Sequence, residues 1–324
     1  MKKLTVRFAV TAFAVLMMVQ SVSAARLLIP VGQVIGLEVK ENQVTIAGFD
    51  SRLGTAAREA GLKEGDRIIK IDGYDIHCPE DVRRALEVSD GDIDISIVRG
   101  TSQKELELEL EPAITSEGPK LGVFLRQGIT GVGTVTYYDP QTKEFGALGH
   151  GVNDKSGDLL AMAEGFAYAA QVDAVKKGKS GDPGQLMGSV TNREPIAALS
   201  KNTVQGVFGI AGVPFRGDML PTAAVSEISQ GPAIIRSTIE NGTVQEYSVE
   251  ILKIYPHSGS DGRNLLLKVT DGRLLDTTGG IVQGMSGSPI IQDGKLVGAV
   301  THVLVNDPTT GYGIFIENML DAAA

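Results

Sequence analysis

The sequence predicts a mainly β protein of two globular units, and three observations carry that prediction. Glycine supplies 40 of the 324 residues and tryptophan none, which favours turn-rich β structure over a helical bundle. Short apolar runs recur between glycine-bearing turns along nearly the whole chain. The segment 112–119, Pro-Ala-Ile-Thr-Ser-Glu-Gly-Pro, reads as a linker between a regularly patterned first unit and a longer, glycine-punctuated second one. A formal charge of −9, with no basic stripe or polybasic patch, excludes nucleic-acid binding and polybasic membrane attachment. Cys78 is the only cysteine, so neither an intramolecular disulfide nor a cysteine-based zinc cluster can form.

The N-terminus has the form of a targeting segment. Lys2, Lys3 and Arg7 precede an uncharged stretch over 8–24 that ends in Val22-Ser23-Ala24, the small-residue spacing of a cleavage site. Residues 1–24 are therefore expected to act as a cleaved signal peptide or a retained membrane anchor, and either role puts the rest of the chain outside the cytoplasm.

The first unit is expected over 25–111. Strands are predicted at Leu27-Leu28-Ile29-Pro30, at Val34-Ile35-Gly36-Leu37-Glu38-Val39 and at Val44-Thr45-Ile46-Ala47-Gly48-Phe49. Residues 56–62 read as a short helix stopped by Gly61. Residues 79–87 form a second helix, with Pro79 in its first turn and Val82, Ala85 and Leu86 on one face. The alternating segments 93–98 and 105–110 close the unit as a strand pair. The run A-x-x-A-G-L-x-x-G-D-x-I-x-x-I-x-G, from Ala57 to Gly73, is similar to that of bacterial PDZ domains. That resemblance implies a peptide-binding strand near Val34, Ile35, Gly36 and Leu37, with the Val82–Leu86 helix as the facing wall.

The second unit is expected over 120–324. Residues 132–138, 204–213, 242–254 and 265–269 read as strands, and 318–323 as a terminal helix. Many short strands over about 200 residues predict a barrel or paired barrels. Within this unit, Gly284-Met285-Ser286-Gly287-Ser288-Pro289 lies between two apolar runs. A glycine-flanked serine on a tight turn exposes its hydroxyl as a nucleophile, and the Gly284 and Ser286 amides can converge as an oxyanion hole. The bland alternative is a glycine-rich hairpin without chemistry. Four histidines could serve as the base: His77, His150, His257 and His302. Glycines on both sides of His150 favour it. For an orienting carboxylate, Asp271, Asp276 and Asp154 compete, and Asp271 also reads as part of an Asp-Gly hairpin turn over 265–275. Val300-Thr301-His302-Val303 is a candidate wall of the substrate pocket, with Thr301 and His302 facing the substrate.

Gly149-His150-Gly151, the run from Thr278 to Ile290 and the run from Gly298 to Pro308 together resemble the stage IV sporulation protein B peptidases over nearly the whole chain. The resemblance implies a chymotrypsin-like double β-barrel and a serine endopeptidase with His150, Asp271 and Ser286 as its triad, in the order His, Asp, Ser. It needs no metal or other cofactor. It also implies export into the space between the forespore membranes, self-cleavage near the N-terminus under PDZ control, and cleavage of a membrane-bound regulator of an intramembrane protease, which activates sigma-factor processing. Two other functions compete: a catalytically inactive PDZ peptide-binding scaffold, and a general envelope stress protease. The intact serine turn and histidine speak against the scaffold, and the PDZ unit lying ahead of the peptidase unit speaks against the stress protease.

Overall fold

A computed structural model describes residues 25–100, 104–154, 157–240, 242–256 and 262–324. The expected targeting segment 1–24 and His257 lie outside the described residues. Among the described residues, no helix is long and apolar enough to cross a membrane.

The fold is mainly β, with a PDZ unit followed by the body of a two-barrel peptidase. The second barrel is a closed ring of six strands: Gly231–Thr238, Val244–Ile254, Leu265–Val269, Asp307–Phe315, Lys295–Leu304 and Pro289–Gln292. Its interior holds Ile235, Val249, Leu267, Ile290, Val300 and Phe315, all nearly inaccessible. Alternation along these strands turns every second side chain inward.

The first barrel is built from two strands of 16 residues, Val34–Phe49 and Val123–Tyr138. From Val123–Tyr138 the pairing runs through Glu144–Ala147, Gly206–Ala211, Gln185–Thr203 and Met162–Lys176 to Val34–Phe49, which pairs again with Val123–Tyr138 and closes the ring. Ile35, Leu37, Val39, Val135, Phe145 and Val207 fill it. The terminal helix Ile316–Ala323 then packs Ile316 and Met319 against Leu28 of the adjoining strand Leu27–Pro30, Tyr137 and Phe208 of the first barrel and Leu296 of the second, joining the two.

The same two long strands leave the barrel and enter the PDZ unit. Residues 34–40 pair with 128–134, the register shifts, and 45–49 then pair with 123–126. The PDZ unit adds Arg67–Ile71, Ile93–Arg99, Lys104–Leu110 and the helices Thr55–Glu59 and Pro79–Val88 around a core of Ile46, Ile68, Ile95 and Leu86. Buried Asp66 accepts two hydrogen bonds of 2.6 Å from Arg99, fixing the turn after the first helix. The expected boundaries at 25, 112 and 120 shift accordingly. Residues 27–30 pair with 220–221 and 137–138 beside the first barrel, residues 34–40 lie within it, and the expected linker forms a hairpin, Ala113–Thr115 with Gly118–Lys120, packed beside the PDZ helix.

Candidate active site

The serine turn is shaped by glycines that no other residue could replace. Gly284 and Gly287 have φ of +97° and +95°, a region costly for residues with a Cβ. A Cβ on Gly287 would lie 2.0 Å from the Thr134 carbonyl oxygen and 2.5 Å from the Leu148 nitrogen. Met285, fully buried in the second barrel's core, anchors the turn from below. Among the described residues, the amides of Gly284 and Ser286 donate to no backbone carbonyl, so both remain available to an incoming oxyanion.

His150 follows two left-handed residues, Leu148 (φ +68°) and Gly149 (φ +69°). For leucine this conformation is strained. It is held by the Leu148 N–H donating to the Thr134 carbonyl (3.1 Å). Beyond the histidine, Asn202 clasps the loop: its Oδ1 accepts from the Val152 N–H, and its Nδ2 donates to the Val152 and Leu160 carbonyls, each at 2.9 Å. The Nδ1 of His150 lies 2.8 Å from the Gly151 carbonyl. An acceptor there requires the proton on Nδ1, leaving the Nε2 lone pair to act as a base. Burial pushes the imidazole below its ordinary value near 6.5, partly opposed by the Gly151 carbonyl.

Ser286 and His150 line one cavity of about 500 Å³, together with Gly284, Thr301 and His302. The Ser286 hydroxyl donates to the Thr301 carbonyl at 2.7 Å. The His302 ring lies 5.2 Å from the His150 ring, centroid to centroid. Thr301 turns its own hydroxyl away, donating to the Gly262 carbonyl (2.8 Å).

Asp271 does not join this group. The expected Asp-Gly hairpin is instead the start of a helix, Gly272–Thr278, with Asp271 as its N-cap. Its carboxylate accepts from the N–H groups of Ser248, Arg273 and Leu274 and pairs with the Arg273 guanidinium at 3.0 Å. Arg273 and these N–H groups hold it below the usual carboxylate range. The Gly151 carbonyl occupies the place at Nδ1 where an aspartate was expected. The expected PDZ strand is also displaced. Residues 34–37 pair with 131–134, residues 35–37 pair on the other edge with 167–169, and Ile35 and Leu37 are barrel core. Neither edge of Ile35, Gly36 or Leu37 is free for a peptide, and Val34 pairs with Thr134. The open groove, a cavity of about 380 Å³, lies between Val82 and Leu86 of the PDZ helix and the strand around Val123 and Phe124.

Sequence reasoning missed Thr134. Its N–H donates to the Ser286 carbonyl (3.0 Å) and its hydroxyl to the Gly284 carbonyl (2.8 Å), while its own carbonyl holds Leu148. One fully buried residue of the first barrel thus fixes both the serine turn and the histidine turn. The only signal in the sequence was a threonine within an apolar strand, and its partner Gly284 is 150 positions away.

Two closed barrels that meet over a glycine-framed serine and a part-buried imidazole define a serine peptidase, here carrying a PDZ unit. The sequence profile of the SpoIVB peptidase S55 family matches residues 117–320, and the chain belongs to that family. A PDZ domain profile matches residues 51–99. A segment of 83 residues is 36% identical to the putative zinc metalloprotease Atu1380 of Agrobacterium fabrum, and the match spans 26% of this chain and only 22% of that protein. The Rv3671c protease in its inactive form is 14% identical, with 60% of this chain and 82% of that one covered at a TM-score of 0.34. The active form of the same protease, from M. tuberculosis, is 15% identical over 74% and 81% of the two chains, at 0.35. Among the described residues, no three His, Cys, Asp or Glu side chains converge as a metal site.

Proposed function

We propose that Ser286 and His150 hydrolyse peptide bonds as a nucleophile–base pair, with the Gly151 carbonyl in the orienting role. The observation that carries this reading is the single cavity lined by Ser286, His150 and the Gly284 turn. Rotation of the Ser286 side chain about Cα–Cβ carries its hydroxyl from the Thr301 carbonyl toward His150 Nε2, which takes the proton. The oxygen then attacks the substrate carbonyl, and the developing oxyanion accepts from the Gly284 and Ser286 amides, each donor being worth on the order of 10²–10³ in turnover. The imidazolium returns the proton to the leaving amine. Water, deprotonated by the same ring, releases the acyl group and regenerates the serine. Labelling with a fluorophosphonate tests this. The parent protein should react, and Ser286→Ala and His150→Ala should not; equal labelling of Ser286→Ala would place the nucleophile elsewhere.

We further propose that the enzyme is exported and acts in sporulation signalling, cutting itself near the N-terminus and cleaving a membrane-bound regulator of an intramembrane protease. Membership of the family, the PDZ unit and the character of residues 1–24 support this. The N-terminus of the chain recovered from sporulating cells should lie beyond residue 24, and a second, later N-terminus should vanish in Ser286→Ala. Identical N-termini in both would remove self-cleavage from the proposal.

A further inference from the structure

The catalytic cavity does not end at Gly284. A second cavity of about 440 Å³ continues from Gln283 and Gly284 along Leu186 and Gly188. A third, of about 550 Å³, shares Val132 and Gly188 with it and spreads over the outer face of the first barrel. Together they form one trench, because each shares Gly131 and Val132 with the catalytic cavity. The floor of the third cavity is bare at Gly36, where a Cβ would sit 2.8 Å from a Val190 methyl. Its walls are Val132, Val190 and the ring of Tyr168. The one carboxylate beside it, Glu38, is engaged by the Tyr168 hydroxyl at 2.7 Å and faces Lys40 at 3.8 Å. Exposed Arg193 also lines the cavity, so the apolar part of the pocket is the face made by Val132, Val190 and Tyr168.

The direction of a bound chain follows from the serine. Its hydroxyl touches the Thr301 carbonyl on the side of strand Lys295–Leu304, so that carbonyl is placed to accept the N–H of the residue whose carbonyl is attacked. Gly284 faces the opposite way: a Cβ there would lie 3.0 Å from that of Leu186. A peptide extended across Ser286 therefore leaves on the trench side. We propose that the trench binds the substrate segment C-terminal to the cleaved bond, and that the pocket under Tyr168 and Val190 receives one apolar side chain of that segment. The proposal rests on Ser286 being the nucleophile.

The test uses a random dodecapeptide mixture, with product sequences read by mass spectrometry, beside fluorophosphonate labelling. The small phosphonate does not reach the trench, so its reaction with Val190→Lys and Tyr168→Ala should stay within about twofold of the parent. For the parent, apolar residues should be enriched at one fixed position after the cut. In Val190→Lys that enrichment should fall about tenfold, the discrimination a filled apolar pocket supplies, and acidic residues should rise there. In Tyr168→Ala it should shift toward larger side chains. Unchanged product sequences in both variants, or a change confined to residues before the cut, would overturn the trench. A parent that fails to label at Ser286 would instead overturn the nucleophile.

Discussion

Single residues separate the groups that shape the Ser286 cavity from those that lie outside it. Burial lowers the His150 pKa, so the neutral base persists to more acidic pH than a free histidine would allow. The rate of fluorophosphonate inactivation should be flat above pH 6.5 and fall only below it. Stability follows the same sign: the unfolded chain binds the proton more readily, so this contribution is lost as pH falls from 6.5 through the depressed value. A midpoint above 6.5 would contradict the burial argument. Thr134→Val keeps the shape and removes the bond to the part-buried Gly284 carbonyl, a loss of about 1 kcal/mol. Displacing the Ser286 turn in this way should slow labelling by up to about a hundredfold, while Thr134→Ser stays near the parent; equal rates in all three would mean that the hydroxyl positions nothing. Asp271→Asn retains the N-cap through Oδ1 and loses both the Arg273 ion pair and the Ser248 N–H bond at Oδ2, on the order of 1–2 kcal/mol together. Its melting temperature should fall modestly, and its labelling rate should stay near the parent value. A folded variant that no longer labels would return Asp271 to the catalytic group.

At the scale of elements, the Gly284–Ser288 turn depends on close approach to the first barrel. Gly287→Ala combines a disfavoured φ with a backbone overlap, and it should cost roughly 3 kcal/mol or more in chemical denaturation. The strands and helices of the PDZ unit were legible in the sequence because their periodicity is local: Ile93–Arg99 alternates, Pro79 opens a helix, and Gly61 stops one. The helix at Gly272–Thr278 was not, because Asp-Gly after a strand begins a hairpin as readily as it caps a helix. Residues 34–37 misled for a related reason. An apolar strand buried on both faces looks the same in a PDZ sheet as in a barrel wall, and only its long-range partners, near 132 and 168, tell them apart. The Ser286 and His150 turns could be read because glycines mark them locally, whereas the absence of Asp271 from the cavity depends on tertiary placement.

At the scale of the whole molecule, the PDZ unit is an excursion from one hairpin of the first barrel. Lys40 and Gly128 face each other across that hairpin. Replacing 41–127 with Asn-Gly, which suits a two-residue turn, should leave a folded protein that still reacts with fluorophosphonate. A chain beginning at residue 112 lacks the strand over 34–40 and should neither fold cooperatively nor label. Reactivity in the second and not the first would refute the shared hairpin.

The strand Val123–Tyr138 has a consequence for control. Its first residues border the PDZ groove, and Thr134, about 33 Å beyond Phe124 at the usual rise per residue, grips the Ser286 turn. A tail seated beside Phe124 would tug on a taut cord whose other end is tied to the blade. Such a tether needs no domain to swing, only a damping of its own vibration. Added C-terminal peptides should therefore slow amide exchange at 132–134 as well as at 123–126, and protection confined to the near end would cut the cord.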